Sequence, residues 1–110
     1  MENFVKVCAT SDVPEGEMKI FTQGSTKFLI GNKDGKFFSL LNQCPHASGS
    51  LGDGMIDSDG YVMCPLHSWR FDHQTGKCPD GQNCSIPIFE IKEKDGDIYI
   101  NEKQLAEQVL

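Results

Sequence analysis

Short runs of apolar residues alternate with polar positions along most of this 110-residue chain. Four runs in the amino-terminal part show the two-residue period of half-buried strands: Val5 to Ala9, Met18 to Phe21, Phe28 to Asn32 and Phe37 to Leu41. Asp34-Gly35 separates the last two runs and predicts a tight hairpin, because both residues accept the positive φ angles that such turns require. The pattern therefore indicates antiparallel strands.

The remainder of the chain repeats this arrangement with three further turn signals. Asp59-Gly60 separates Met55-Ile56 from Tyr61-Val62-Met63, Thr75-Gly76 closes the run that begins at Trp69, and Asp95-Gly96 joins Phe89-Glu90-Ile91 to Ile98-Tyr99-Ile100. The sequence predicts an all-β domain of short antiparallel strands. The last segment, Lys103 to Leu110, is compatible with one or two helical turns, since Leu105 and Val109 lie four residues apart, and equally with a frayed end.

Two of the predicted strands lead into pairs of metal-binding residues. The run that ends at Leu41 continues to Cys44-Pro45-His46, and the run that ends at Met63 continues to Cys64-Pro65-Leu66-His67, with 17 residues between the two pairs. Each pair offers one thiolate and one imidazole instead of two ligands of one kind. This inventory suits a two-metal centre whose two metals take different ligands.

The residues around these pairs resemble the two cluster loops of the Rieske family. Cys44-Pro45-His46-Ala47-Ser48-Gly49 matches the first loop, and Cys64-Pro65-Leu66-His67-Ser68-Trp69 matches the second, followed by Arg70-Phe71-Asp72 and Thr75-Gly76 as is common in that family. The resemblance implies a single Rieske-like domain over residues 1–110, with cluster-binding loops at about 42–54 and 63–72. It also implies one 2Fe-2S cluster, with Cys44 and Cys64 on one iron and His46 and His67 on the other.

A structural zinc ion held by the same four residues is the alternative, since Cys2His2 sets are ordinary for tetrahedral zinc. Zinc fingers usually pair like with like, as Cys-x2-4-Cys and His-x3-5-His. This chain mixes one Cys and one His in each loop, so the spacing favours the iron-sulfur cluster.

The mixed ligand set predicts one-electron transfer at moderate potential. Two neutral imidazoles in place of two thiolates leave the oxidised cluster with about zero formal charge, which eases reduction and places Rieske potentials at roughly −150 to +300 mV. An iron-bound imidazole also keeps a ring nitrogen that can carry a proton.

The residues around the ligands indicate the lower end of that range. High-potential members of the family carry an extra Cys in each loop, and those positions hold Gly49 and Leu66 here. Such members also place a Ser and a Tyr after the second His, where this chain has Trp69 and Phe71. Hydroxyl donors to sulfur stabilise the reduced, more negative cluster, so their replacement lowers the potential.

Three cysteines lie outside the predicted ligand set: Cys8, Cys78 and Cys84. An odd number of spare cysteines in a chain without a recognisable secretory signal favours reduced thiols, with Cys8 buried as a small apolar residue. A Cys78–Cys84 bridge is the less favoured alternative. The segment from Cys78 to Asn83 also resembles the proline-containing loop that covers the cluster in many Rieske domains.

Composition narrows the set of partners. With 10 Lys and Arg against 16 Asp and Glu, the net charge is −6 and the sequence shows no stripe of Lys and Arg, which counts against binding to a nucleic-acid backbone. No apolar run is long enough for a membrane span, so a cytoplasmic protein is expected. The acidity serves either solubility or attraction towards a basic redox partner.

Three functions remain open on these grounds. The first is a Rieske ferredoxin that passes electrons from a flavin-containing reductase to a terminal oxygenase or similar acceptor, as an electron-transfer component and not an enzyme by itself. The second is a small Rieske subunit of an NAD(P)H-dependent nitrite reductase, and the third is a zinc-stabilised interaction module. A complete Rieske oxygenase is excluded, because only His73 remains for a mononuclear iron site.

Overall fold

Nine short strands and one short α-helix form about half of the part of the chain that the structure describes. The computed structural model describes residues 3–42, 50–65, 70–79 and 84–107. The strands are β1 (Phe4–Ala9), β2 (Met18–Gln23), β3 (Thr26–Lys33), β4 (Lys36–Leu41), β5 (Met55–Ile56), β6 (Tyr61–Met63), β7 (Arg70–Asp72), β8 (Ile91–Lys94) and β9 (Asp97–Asn101). They form three antiparallel sheets, ordered β1-β9-β8, β2-β3-β4 and β5-β6-β7. The predicted all-β fold is confirmed.

Two Asp-Gly hairpins form where the sequence predicts them. Asp34 and Gly35 have φ angles of 55° and 86° and join β3 to β4, and Asp95 and Gly96 have φ angles of 55° and 81° and join β8 to β9. Positive φ at both central residues matches the right-handed twist of the flanking strands.

The middle sheet lies between two apolar cores because β3 is buried on both faces. Phe28 and Ile30 point to one side of β3, and Leu29 points to the other, as the two-residue period of a strand requires. We call the two sets of side chains the base core and the site core. The base core comprises Cys8, Val13, Phe28, Ile30, Phe89, Ile98, Ile100 and Leu105. The site core comprises Leu29, Phe38, Leu40, Leu51, Val62, Cys64, Phe71 and Ile86.

The segment before β8 departs from the predicted strand. The strand begins at Ile91, whereas the sequence pattern predicts a start at Phe89. The Phe89 amide instead donates to the Ser39 carbonyl at 3.0 Å, and Ile88 pairs with Leu40 across an isolated bridge. Residues 87–89 therefore lie along β4, where Phe89 enters the base core.

A single helix, α1, spans Glu102–Ala106 among the described residues. The Asn101 side chain caps it by accepting from the backbone N–H groups of Lys103 and Gln104, at 3.0 and 3.2 Å. The predicted helical turns are thus confirmed for this part, while Val109 lies outside the described residues. Within the part of the chain that the structure covers, no helix has the length and apolar character to cross a bilayer.

Candidate metal centre

Cys64 lies where the third sheet meets the site core. Strand β6 ends at Met63, so the next residue, Cys64, leaves the sheet with its direction already set. Its side chain is only 1% exposed and packs among Leu51, Val62 and Phe71. Cys64 forms no disulfide with any cysteine in the described ranges. The other three predicted ligands, Cys44, His46 and His67, lie outside the described residues.

Asn42 joins the two ends of the first ligand loop, which we define as residues 42–54. Its backbone N–H donates to the Lys27 carbonyl at 3.0 Å and so continues the pairing of β4 with β3. The Nδ2 atom donates to Ser50 Oγ at 3.0 Å, and Oδ1 accepts from the Gly52 N–H at 2.6 Å. Residues 42 and 50–52 are thereby held side by side, and Asn42 itself is only 8% exposed.

Gly52 and Gly54 are required by close contacts at this end of the loop. A Cβ at Gly52 would collide with the Ile20 side chain, and one at Gly54 would collide with the Met63 carbonyl. The Gly52 amide is used by Asn42, and the Gly54 amide donates to the Leu51 carbonyl at 3.0 Å. These glycines therefore bring the first ligand loop against the residue that precedes Cys64, and their amides are committed to protein oxygens.

The second ligand loop, residues 63–72, is closed by strand pairing and by Arg70. Met63 and Arg70 face each other in the β6–β7 ladder. The Arg70 guanidinium lies 3.6 Å from Asp57 Oδ2 and 5.4 Å from the centroid of the Tyr61 ring. Asp57 Oδ1 in turn accepts from the amides of Asp59 and Tyr61, both at 2.9 Å. Arg70 thus connects the loop to the β5–β6 turn.

Cys78 and Cys84 form a disulfide, which corrects the expectation of reduced thiols. The two residues face each other because the segments that carry them are antiparallel: Lys77 and Ser85 pair in a bridge, and the Cys78 amide donates to the Cys84 carbonyl at 3.1 Å. Both cysteines are half-buried and pack against the site core that contains Cys64. The expectation of reduced thiols rested on the number of cysteines and on the compartment, and neither of these shows which side chains are adjacent in the fold.

The remaining spare cysteine lies in the base core, and the third histidine lies in a turn. Cys8 is 8% exposed in the base core, as expected for a small apolar residue. Its burial, with a smaller effect of the Asp12 carboxylate, raises the pKa of the thiol. His73 follows β7 in the turn towards Gly76, where its Nδ1 lies 2.7 Å from the Gly60 carbonyl. Since a carbonyl oxygen only accepts, Nδ1 carries a proton.

Cys64, the one predicted ligand that the structure describes, is suited to serve as a thiolate ligand of an iron-sulfur cluster. Cys64 is a buried, unbridged thiol at the end of a strand, and Phe71, which replaces a hydroxyl-bearing residue, is fully buried beside it. A thiol in such apolar surroundings meets the requirement of a sheltered iron-sulfur ligand. The described residues by themselves hold no group of three candidate ligands, because three of the four predicted ligands lie outside them.

Sequence reasoning missed the residues that support the loops. Asn42, Asp57 and Arg70 carry the hydrogen bonds and the ion pair at the loop ends. The one available signal was that Asn and Asp side chains favour bonds to backbone amides near turns. That tendency does not indicate which backbone amide each side chain binds.

Comparison with known proteins gives matches along nearly the whole chain. A family model described as "Rieske [2Fe-2S] domain" matches residues 3–90. The ferredoxin component of an alkene monooxygenase system from Xanthobacter autotrophicus is 31% identical over 96% of this chain and 86% of its own length. The ferredoxin subunit of a biphenyl dioxygenase from a Pseudomonas species is 31% identical over 94% of this chain and 95% of its own length.

Solved structures show the same architecture. A chain in the complex of reduced oxygenase and oxidised ferredoxin of carbazole 1,9a-dioxygenase superposes with a TM-score of 0.82, at 25% identity, over 92% of this chain and 94% of that chain. The Sphingomonas yanoikuyae B1 ferredoxin superposes with a TM-score of 0.80, at 27% identity, over 90% of this chain and 98% of that chain.

Proposed function

We propose that this chain, which belongs to the Rieske [2Fe-2S] domain family, is the electron carrier of an oxygenase system. It accepts one electron at a time from a flavin-containing reductase and passes it to a terminal oxygenase. The observation that carries the proposal is the near-complete mutual coverage with ferredoxin components of such systems. The same relatives favour this function over a nitrite reductase subunit, and the family favours it over a zinc module.

The proposed ligands of the cluster are Cys44, His46, Cys64 and His67, within a single Rieske domain of residues 1–110. When bound, the cluster supplies reversible one-electron chemistry at a potential set by its ligands and surroundings. The described residues contribute a rigid support: β4 and β6 carry the chain to the two loops, and the site core shields Cys64 from water. A preorganised, dry surrounding reduces the rearrangement that accompanies a change of charge.

Charge and composition support a diffusing carrier that meets two partners in turn. The net charge of −6 favours encounter with basic patches on a reductase and an oxygenase, and it disfavours nucleic acid. A cytoplasmic location belongs to this proposal, and it is supported by the match to ferredoxin components of oxygenase systems.

Spectroscopy of the purified protein tests the metal, and reconstitution tests the function. We expect two irons and two sulfides per chain, a visible absorption band, and a low-temperature electron paramagnetic resonance signal of the Rieske type after reduction with dithionite. Addition of the protein to a ferredoxin-depleted oxygenase system should restore substrate turnover. A colourless protein with stoichiometric zinc would refute the proposal.

A further inference from the structure

We propose that the Cys78–Cys84 disulfide is a second redox site of this protein, opened by thiol exchange, and that its state controls how tightly the metal centre is enclosed. The inference deepens the proposed function, since the centre concerned is the one to which Cys64 belongs. It assigns a purpose to two cysteines that the ligand set does not use.

The disulfide lies at the partly exposed edge of the site core. Both Cys78 and Cys84 are half-buried, as is Pro79 beside them, and the neighbouring residues Lys77 and Ser85 are exposed. Exchange requires a thiolate to reach one sulfur of the bond, and exposed disulfides are the labile ones. The proposed compartment maintains a pool of thiols that favours such exchange.

Hydrogen bonds hold the base of the disulfide-bearing arm, by which we mean residues 76–79 and 84–86, without help from the disulfide. The Asp72 amide donates to the Lys77 carbonyl, and the Ile86 amide donates to the Gly76 carbonyl, both at 2.8 Å. A Cβ at Gly76 would collide with the Ile86 carbonyl, so the two sides of the arm are in close contact. Opening the disulfide is therefore a local event that leaves the base of the arm in place.

The disulfide is packed against the apolar core that contains Cys64. The side chains of Cys78 and Cys84 contact the site core, whose members include Cys64 and Leu51. Joined sulfurs are confined to this packing, whereas two separate thiols are free to rotate towards water. Reduction of the disulfide therefore loosens the apolar surroundings of Cys64 and lets water approach.

The exchange is balanced by an external dithiol, either a small molecule or a dithiol protein. Its first thiolate attacks one protein sulfur, so that the Cys78–Cys84 bond breaks and a mixed disulfide forms. The second thiol of the external dithiol then attacks the mixed disulfide and displaces the protein sulfur. Two electrons and two protons pass to the cysteines, and the dithiol leaves as its own disulfide.

Alkylation of the denatured protein measures the state of the disulfide. Three of the five cysteines should react before treatment with dithiothreitol, and all five should react after it. This count does not depend on electron transfer. A protein that lacks the spectrum of a cluster would refute the proposed function, whereas labelling of all five cysteines without reductant would overturn the present inference.

Iron release and the midpoint potential of the metal centre are measured after anaerobic removal of the dithiol. Reduced wild type and the C78S/C84S variant should both release iron to a chelator faster than the disulfide form, by up to about 50-fold. This factor is the loop-closure entropy of a disulfide that encloses seven residues, converted to a ratio of rates. Their midpoint potentials should also be higher, because hydration favours the more negative reduced cluster.

Cys8→Ser is the matched control, because Cys8 is a buried, unbridged cysteine of the base core. This variant in its disulfide form should release iron and titrate as wild type does. Equal release rates and equal midpoints for the disulfide form, the reduced form and C78S/C84S would overturn the proposal.

Discussion

Replacement of Asn42 by Ala should free the first ligand loop without unfolding the sheet beneath it. The substitution removes the donor to Ser50 Oγ and the acceptor of the Gly52 amide. Half-buried Ser50 can turn its hydroxyl to water, whereas the Gly52 N–H loses a partner only 2.6 Å away. A partly buried amide left unpaired costs about 1–3 kcal/mol, so we expect a loss of about 2 kcal/mol.

Asn32 provides a matched control on the same sheet. It is 7% exposed, against 8% for Asn42, and it also donates one side-chain bond and accepts another. Its Nδ2 donates to the Val13 carbonyl at 3.0 Å, and its Oδ1 accepts from the Gly35 amide at 2.9 Å. Val13 belongs to the base core, so Asn32→Ala removes equivalent bonds away from the site core.

The assay is the rate at which a chelator removes iron from the native holoprotein. A loss of about 2 kcal/mol at the loop ends corresponds to a rate increase of up to about 30-fold for Asn42→Ala, if release follows opening of the loop. Asn32→Ala should lower the unfolding temperature by about as much as Asn42→Ala does, and it should leave iron release near the wild-type rate. Asn42→Asp keeps the acceptor for the Gly52 amide and should recover most of the wild-type rate.

A second readout separates positioning of the cluster from general stability. The added carboxylate of Asn42→Asp lies close to the first ligand loop, so the midpoint potential should fall even though iron is retained. Equal iron release from Asn42→Ala and Asn32→Ala would refute the reasoning, because the bonds at the loop ends would then have no specific effect on the centre.

Three further predictions concern the potential and the pH dependence. Replacement of His46 or His67 by Cys should lower the midpoint in any variant that still assembles the cluster, because a thiolate adds negative charge next to iron; an unchanged midpoint in redox titration would contradict this. The wild-type midpoint should lie below zero, towards roughly −150 mV, and a value well above zero would contradict the argument from the missing hydroxyl donors. The pKa of the Cys8 thiol is raised above its ordinary value of 9.0, so the folded state favours the neutral thiol. The resulting stabilisation of the folded state is fully present below pH 9.0 and is lost as the pH rises through the pKa of the folded protein. Denaturant titrations should show a smaller alkaline loss of stability for Cys8→Ser, and identical profiles would remove Cys8 as a cause.

Local pattern was sufficient to predict the strands, apart from the start of β8, and the positions of the turns. The period of two fixes which side chains of a strand share a face, and Asp34-Gly35 and Asp95-Gly96 supply the φ angles of tight hairpins. The start of β8 was wrong because Phe89 is apolar for a different reason, namely its contact with the base core beside β4. An apolar residue shows burial, and it does not show which strand provides the contact.

The supporting residues of the candidate site were beyond the reach of local pattern. The bonds of Asn42 span eight and ten residues, and their partners are adjacent only once β4 and the first ligand loop are in place. Pairing of Cys78 with Cys84 likewise depends on the antiparallel contact of two segments, in which the Ile86 amide donates to the Gly76 carbonyl. The proposed ligand set, by contrast, rests on residue type and spacing, which can be read directly from the sequence.

Each segment next to the centre is closed by a different kind of interaction, and the difference has a physical consequence. Hydrogen bonds of Asn42 close the first ligand loop, an exposed ion pair with strand pairing closes the second, and a covalent bond joins Cys78 to Cys84. The Arg70–Asp57 pair is partly exposed, so salt screens it and its removal should matter least. The buried bonds of Asn42 are insensitive to salt and to thiols. Of these three closures, the disulfide is the one that thiols open, so we expect a response of the enclosure to thiol conditions to originate there.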